Sequence, residues 1–256
     1  MLKVLENAVP VACWSCSVAH NESTLFCPDC SKIQPPSSGD YFSVFGLTPR
    51  LNIDLPVLEQ EFHRLSRRLH PDRFARASEN EKEWSLADTA LLNDAYRTLK
   101  DPLRRTEYLL KLEGAEIGAG HADALIQDQK KLRDQGKIQD KEKIQKQEKT
   151  SRVPADLLEE VFDLNMQLEE MNRSKKMGQE DPELKESLMQ AKEKFEGLVD
   201  AVDRDLRAQW AIWDAGDAAA RHTAQRAPAQ RAMVALLDRR RYLSNLVRDV
   251  TEILGD

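Results

Sequence analysis

Aromatic residues make up only 6% of this 256-residue sequence, whereas charged residues make up 32%. With so few large rings, the 41% of hydrophobic residues must be laid out in narrow stripes, which favours helices and disfavours thick, sheet-bearing cores. No run approaches the roughly 18 uninterrupted apolar residues that a membrane helix needs. Residues 1–12 carry Glu6 and neither an arginine-rich nor a signal-like pattern, so a soluble chain is expected. Positive charge is not in excess either. A net charge of -6 argues against a protein whose main role is to coat nucleic acid. Cysteine is absent beyond Cys30, and the four that exist crowd between Cys13 and Cys30. That is the distribution of a metal site, not of a disulfide framework spread over a secreted fold.

The length allows two small domains. Residues 31–40 carry Pro35, Pro36, Ser37, Ser38 and Gly39, which suit an extended linker followed by a helix start. A boundary near residue 38 separates a tetracysteine segment (1–38) from a helical domain (39–117). Within the latter, Leu58, Phe62, Leu65 and Leu69 recur at helical spacing until Pro71 stops the run. Leu92, Tyr96 and Leu99 mark a second helix before Asp101-Pro102, and a third continues through Tyr108, Leu109 and Leu112 to Gly114. Residues 118–152 are dominated by Lys, Gln, Asp and Glu, too polar to offset the cost of ordering, and read as a mobile charged insertion. Residues 153–256 hold three long helical patterns, broken near Gly178–Pro182 and Gly216–Pro228, as in a three-helix bundle. The expected fold is all-α.

Three groups of residues carry chemistry. Cys13-x2-Cys16 and Cys27-x2-Cys30, ten residues apart, supply two thiolate pairs that a chain reversal brings around one tetrahedral zinc. Four thiolates leave no open coordination position, so the ion would be structural. Redox disulfides, iron, or a nucleic-acid-binding finger are the alternatives, the last weakened by a scarcity of basic and aromatic companions.

The second group is His70-Pro71-Asp72, lying between a helix that ends at Leu69 and a helix through Asn93-Asp94-Ala95-Tyr96. At about 100° per residue, Arg64 and Arg67 fall opposite the apolar face and Arg68 on its flank. A basic ridge therefore leads to the loop. Alone, this could be an ordinary solvated face and loop. A hydrolytic His-Asp pair lacks a nucleophile elbow, a phosphate-cradling glycine loop or a second metal cluster, so no catalytic residue and no bound nucleotide are expected.

The third group lies near the start of the bundle. Leu157, Val161, Leu164, Leu168 and Met171 form a core stripe. Leu158, Phe162 and Met166 form a second line at steps of four, rimmed by Glu159, Asp163 and Glu170. On periodicity alone, this line either packs inside the bundle or forms a protein-binding patch.

Asp40-Tyr41-Phe42, the arginine-bearing helix, His70-Pro71-Asp72 and Leu92-Asn93-Asp94-Ala95-Tyr96-Arg97-Thr98-Leu99 together resemble a J domain. The run Asp156-Leu157-Leu158-Glu159-Glu160-Val161-Phe162-Asp163-Leu164-Asn165-Met166 and Arg241-Tyr242-Leu243-Ser244-Asn245-Leu246 resemble the C-terminal domain of HscB-type J proteins, and the tetracysteine looks like that of animal or plant members. The resemblance implies a non-enzymatic co-chaperone. Arg64, Arg67, Arg68, His70, Pro71 and Asp72 would meet a DnaK-type heat-shock chaperone and stimulate its ATPase. Leu158, Phe162, Asp163, Met166 and Tyr242 would hold an iron-sulfur cluster scaffold protein. The resemblance also implies the mitochondrial matrix, with a cytosolic form left open. Neither a membrane nor a nucleic-acid partner is expected, and a weak homodimer is left open. A general J protein for unfolded clients is the alternative function, and a zinc-containing nucleic-acid-binding protein a more distant one. Residues 118–152 have no counterpart in the family, and Pro228 is expected to interrupt the last helical hairpin.

Overall fold

The computed structural model describes residues 11–20, 24–36, 39–117, 154–178, 181–215 and 226–255. The insertion expected at 118–152 and the segment 1–10 lie outside them. The chain divides into two compact units, Met1–Leu109 and Leu110–Asp256. Among the described residues no helix is long and apolar enough to cross a membrane.

The first unit opens with two short strands, β1 (Val11–Ala12) and β2 (Ala19–His20), paired antiparallel, with Phe26 and Ile33 forming an isolated antiparallel bridge beyond them. Among the described residues, these short strand pairings are the one addition to the all-α architecture. Helices follow, each started by an acidic or hydroxyl cap. Asp40 accepts from the Ser43 N–H to open α1 (Tyr41–Val44), and Asp54 accepts from Val57 to open α2 (Leu55–Leu69). Ser78 and Glu81 form a reciprocal capping box for α3 (Glu79–Lys100). Asp101 accepts from Leu103 and Arg104 at the start of α4 (Pro102–Leu112), where Pro102 has no N–H to leave orphaned.

The core of this unit forms where α2 meets α3. Leu58, Leu65 and Leu69 of α2 are buried, and Phe62 stacks on Tyr96 of α3 with ring centres 4.1 Å apart. The buried positions of α3 run Glu81, Ser85, Asp88, Leu92, Ala95 and Leu99, alternating by four and three along one face. Arg105 of α4 is buried yet satisfied: its Nε donates to Leu51 O at 2.8 Å and its guanidinium to Leu99 O at 2.5 Å. It thus ties the loop before α2 to the end of α3.

In the second unit, α5 (Leu158–Lys176), α6 (Pro182–Ala215) and α7 (Arg226–Leu254) form the three-helix bundle. Direction follows from the pairs across it. Asp203 meets Arg240 at 2.5 Å while Trp213 lies under Arg226, so α6 and α7 run in opposite senses. Asp156 meets Arg239 and Lys175 reaches Ile253 O, so α5 and α7 run in the same sense. Leu157, Val161, Leu164, Leu168 and Met171 are all buried, together with Leu184, Leu188, Phe195 and Val202 of α6 and Leu243, Leu246 and Val250 of α7. Pro228 does not interrupt the last hairpin. It occupies the first turn of α7, where the missing N–H breaks no intrahelical bond.

Candidate functional site

The two Cys-x-x-Cys stretches fold into matching knuckles. In each, the residue after the second cysteine, Ser17 or Ser31, takes positive φ (61° and 60°) and donates its N–H to the first cysteine's carbonyl at 2.9 Å. The first cysteine's own N–H reaches Val18 O or Lys32 O at 2.8 Å. The tight reversal points both thiols of a pair inward. The four Sγ atoms lie within 4.8 Å of one another, with Cys13 to Cys30 at 3.6 Å and Cys16 to Cys27 at 3.7 Å. A tetrahedral ion bound to sulfur at about 2.3 Å spaces its ligands about 3.8 Å apart, so the donors fit one metal ion. None of the four is in a disulfide.

The thiols are electrostatically prepared for a cation. The Cys16 backbone N–H, followed by further hydrogen bonds that outweigh burial, brings Cys13 down to about 6. Cys16 is pushed up to about 12: the Val18 N–H favours its thiolate, but burial and its contacts with the other three thiols outweigh that. A first thiolate forms readily and a second is resisted, a repulsion that a divalent ion removes. Two groups line the rim of the cluster. Gln34 Nε2 lies 3.4 Å from Cys13 Sγ, and His20 Nε2 lies 3.4 Å from Cys27 Sγ and 3.3 Å from Asp29.

His70-Pro71-Asp72 stands at the junction of α2 and α3. Its N-terminal anchor is Leu69, whose side chain is buried and whose carbonyl accepts from Ser85 Oγ at 2.6 Å and Thr89 Oγ1 at 3.4 Å on α3. The helix stops because Pro71 drives His70 to an extended ψ of 129°, after which Pro71–Phe74 close a single 3-10 turn. His70 Nδ1 accepts from the Asp72 N–H at 3.3 Å, and the His70 and Asp72 side chains stay 60% and 89% exposed. The anchor is rigid and the tips are offered to solvent.

The three arginines differ in state. Arg64 is exposed and ion-paired with Glu61, which holds the Glu61 carboxyl below its ordinary value. Arg67 is exposed. Arg68 is half-buried, its guanidinium 3.9 Å from the ring centre of Phe26.

On α5 the two lines separate. Leu158, Phe162 and Met166 are 56%, 65% and 58% exposed while their neighbours on the core stripe are buried, so the second line does not pack within the bundle. Asp163 and Glu159 are exposed beside it. Tyr242 is half-buried against the bundle core, and burial raises its hydroxyl pKa. Periodicity overlooked the contacts made by Trp14, Phe26 and Lys32, the Ser85–Leu69 latch, and buried Asp88. The capping box alone had a readable signal, Ser-x-x-Glu before an apolar-periodic run.

No protein-family model matches the chain. It is 40% identical over 118 residues to the iron-sulfur cluster co-chaperone protein HscB of Mus musculus, covering 44% of this chain and 50% of that protein. It is 49% identical over 80 residues to a co-chaperone protein HscB homolog of Vibrio cholerae, covering 31% of this chain and 47% of the homolog. The chain thus spans about half the length of the curated relatives it matches. In fold it matches the crystal structure of human co-chaperone protein HscB with a TM-score of 0.57 and 25% identity, over 94% of this chain and 98% of that one. The chaperone HscB from Vibrio cholerae matches in fold with a TM-score of 0.51, over 84% and 97%. By sequence over part of its length, and by fold over most of it, the chain is similar to HscB co-chaperone proteins.

Proposed function

We propose that the chain is a co-chaperone that stimulates the ATPase of a DnaK-type heat-shock chaperone and brings an iron-sulfur cluster scaffold protein to it. The observation that carries this reading is the exposed His70-Pro71-Asp72 tip on a buried, hydrogen-bonded anchor. Such a loop presents a carboxylate and an imidazole at low ordering cost, which suits a contact that must favour one of two states of a partner. Arg64 and Arg67 extend the cationic ridge beside it, with Arg68 at its edge. The chain's role is to bind and bias, and ATP hydrolysis belongs to the partner.

The second hand is α5. Leu158, Phe162 and Met166 make a compact apolar centre with Asp163 at its rim, the anatomy of a small interface hot spot, and Tyr242 is proposed to contribute from the neighbouring helix. The names of the relatives support an iron-sulfur client. Holding the chaperone through the first unit and the scaffold through the second turns two encounters into one tethered event. The four thiols hold one structural zinc, and the mitochondrial matrix is the proposed site of action.

The test is Asp72→Asn, which keeps the size of the side chain and removes its charge. Single-turnover hydrolysis by the chaperone should lose its stimulation, while scaffold binding measured by calorimetry stays unchanged. Full stimulation by the variant would overturn the proposed role of the loop.

A further inference from the structure

The four-cysteine segment lies against both stems of the His70-Pro71-Asp72 loop. On the entry stem, Arg68 sits in the last turn of α2, two residues before His70, and its guanidinium covers the ring of Phe26 at 3.9 Å. On the exit stem, Glu81 sits in the first turn of α3. One of its oxygens closes the capping box with Ser78, and the other accepts from Lys32 Nζ at 3.1 Å. One turn further along α3, Trp84 meets Trp14 edge to face, with ring centres 5.6 Å apart and planes at 65°. Trp14 is itself fixed by a hydrogen bond from Nε1 to Ile33 O at 2.6 Å.

The three gripping residues belong to the knuckles. Trp14 lies between Cys13 and Cys16, Phe26 precedes Cys27, and Lys32 follows Cys30 by two residues. Their positions are therefore set by whatever folds the knuckles, and a segment this short depends on its metal for that. The contact also relieves a strained charge. Burial, then the nearby Arg64 and Arg73 cations, work against the positive charge of Arg68, and the negative face of an aromatic ring offsets them.

We propose that the metal-folded four-cysteine segment is a brace across the loop, with Phe26 and Lys32 as positioning residues that fix the separation of its two stems before the chaperone docks. The inference rests on the proposed role of the loop. It goes beyond it by giving the cysteines a task in that role: a loop held in shape in advance loses less entropy on binding.

The experiment uses the full chain carrying one zinc, with Phe26→Ala and Lys32→Ala combined. Zinc content should stay at one per chain. Amide hydrogen exchange across residues 70–82 should quicken about tenfold as the stems open locally, and the concentration needed for half-maximal ATPase stimulation should rise. Phe26→Tyr, which keeps the ring face, should restore slow exchange. Arg68→Ala, read by exchange alone, should quicken it from the other side of the contact, with the cysteine segment untouched. Unchanged exchange in both variants would overturn the brace. Faster exchange with an unchanged half-maximal concentration would overturn its positioning role. If no form of the chain stimulates the chaperone, the loop's role fails while the exchange result still decides whether the brace exists.

Discussion

Asp88 is fully buried on the inner face of α3, and neither of its carboxylate oxygens has a hydrogen-bond partner. Burial alone raises its pKa from the ordinary 3.8 to about 7. In the unfolded chain the same group ionises near its ordinary value. The folded state therefore holds the proton longer, so the penalty that Asp88 places on folding is absent below about pH 4, grows as the pH rises towards 7, and stays in full above that. Asp88→Asn keeps the shape and cannot ionise. Its melting temperature should exceed the parent's at pH 8.5 by several degrees, at about 4–8 °C per kcal/mol for a domain of this size. At pH 4.5 the difference should largely vanish. Equal differences at both values, followed by circular dichroism, would contradict the assignment. The sequence gives no hint of this residue, because an aspartate at a buried helical position is indistinguishable from a surface one until the face of α3 is known.

At the scale of the element, α5 carries two lines of apolar residues with opposite fates. Leu164 is buried in the bundle, and Leu164→Ala should cost about 2–5 kcal/mol of bundle stability in urea titration. Leu158 and Phe162 are more than half exposed, so the double change Leu158→Ala with Phe162→Ala should move stability by no more than about 0.5 kcal/mol per site. The same double change should weaken scaffold binding roughly tenfold or more, because truncating a compact apolar anchor typically costs over 1 kcal/mol. Calorimetry with the scaffold and urea titration of the chain alone separate the two effects. A large loss of stability in the double variant would mean that the second line packs after all. Both lines were legible from spacing. Which of them faced solvent was not, since the same spacing serves a line packed inside the bundle and a line left open to a partner.

For the whole molecule, the metal site and the helices are separable, because no cysteine lies on a helix. Removing zinc with a chelator should leave the far-ultraviolet helical signal nearly intact and change the tryptophan signal. Two of the four tryptophans, Trp14 and Trp84, meet at the edge of the cysteine segment, whereas Trp210 and Trp213 are buried in the bundle. Loss of most helical signal on chelation would contradict this separation. Helix positions, the core stripe of α5 and the four-thiol set follow from the sequence by itself, because each is a matter of local spacing. The docking of the cysteine segment on both stems of the loop, the covering of Arg68 by Phe26, the burial of Asp88 and the solvent exposure of Leu158, Phe162 and Met166 were decided only by the tertiary structure. They join residues far apart in sequence, or depend on which side of a helix is left uncovered, and no local pattern specifies either.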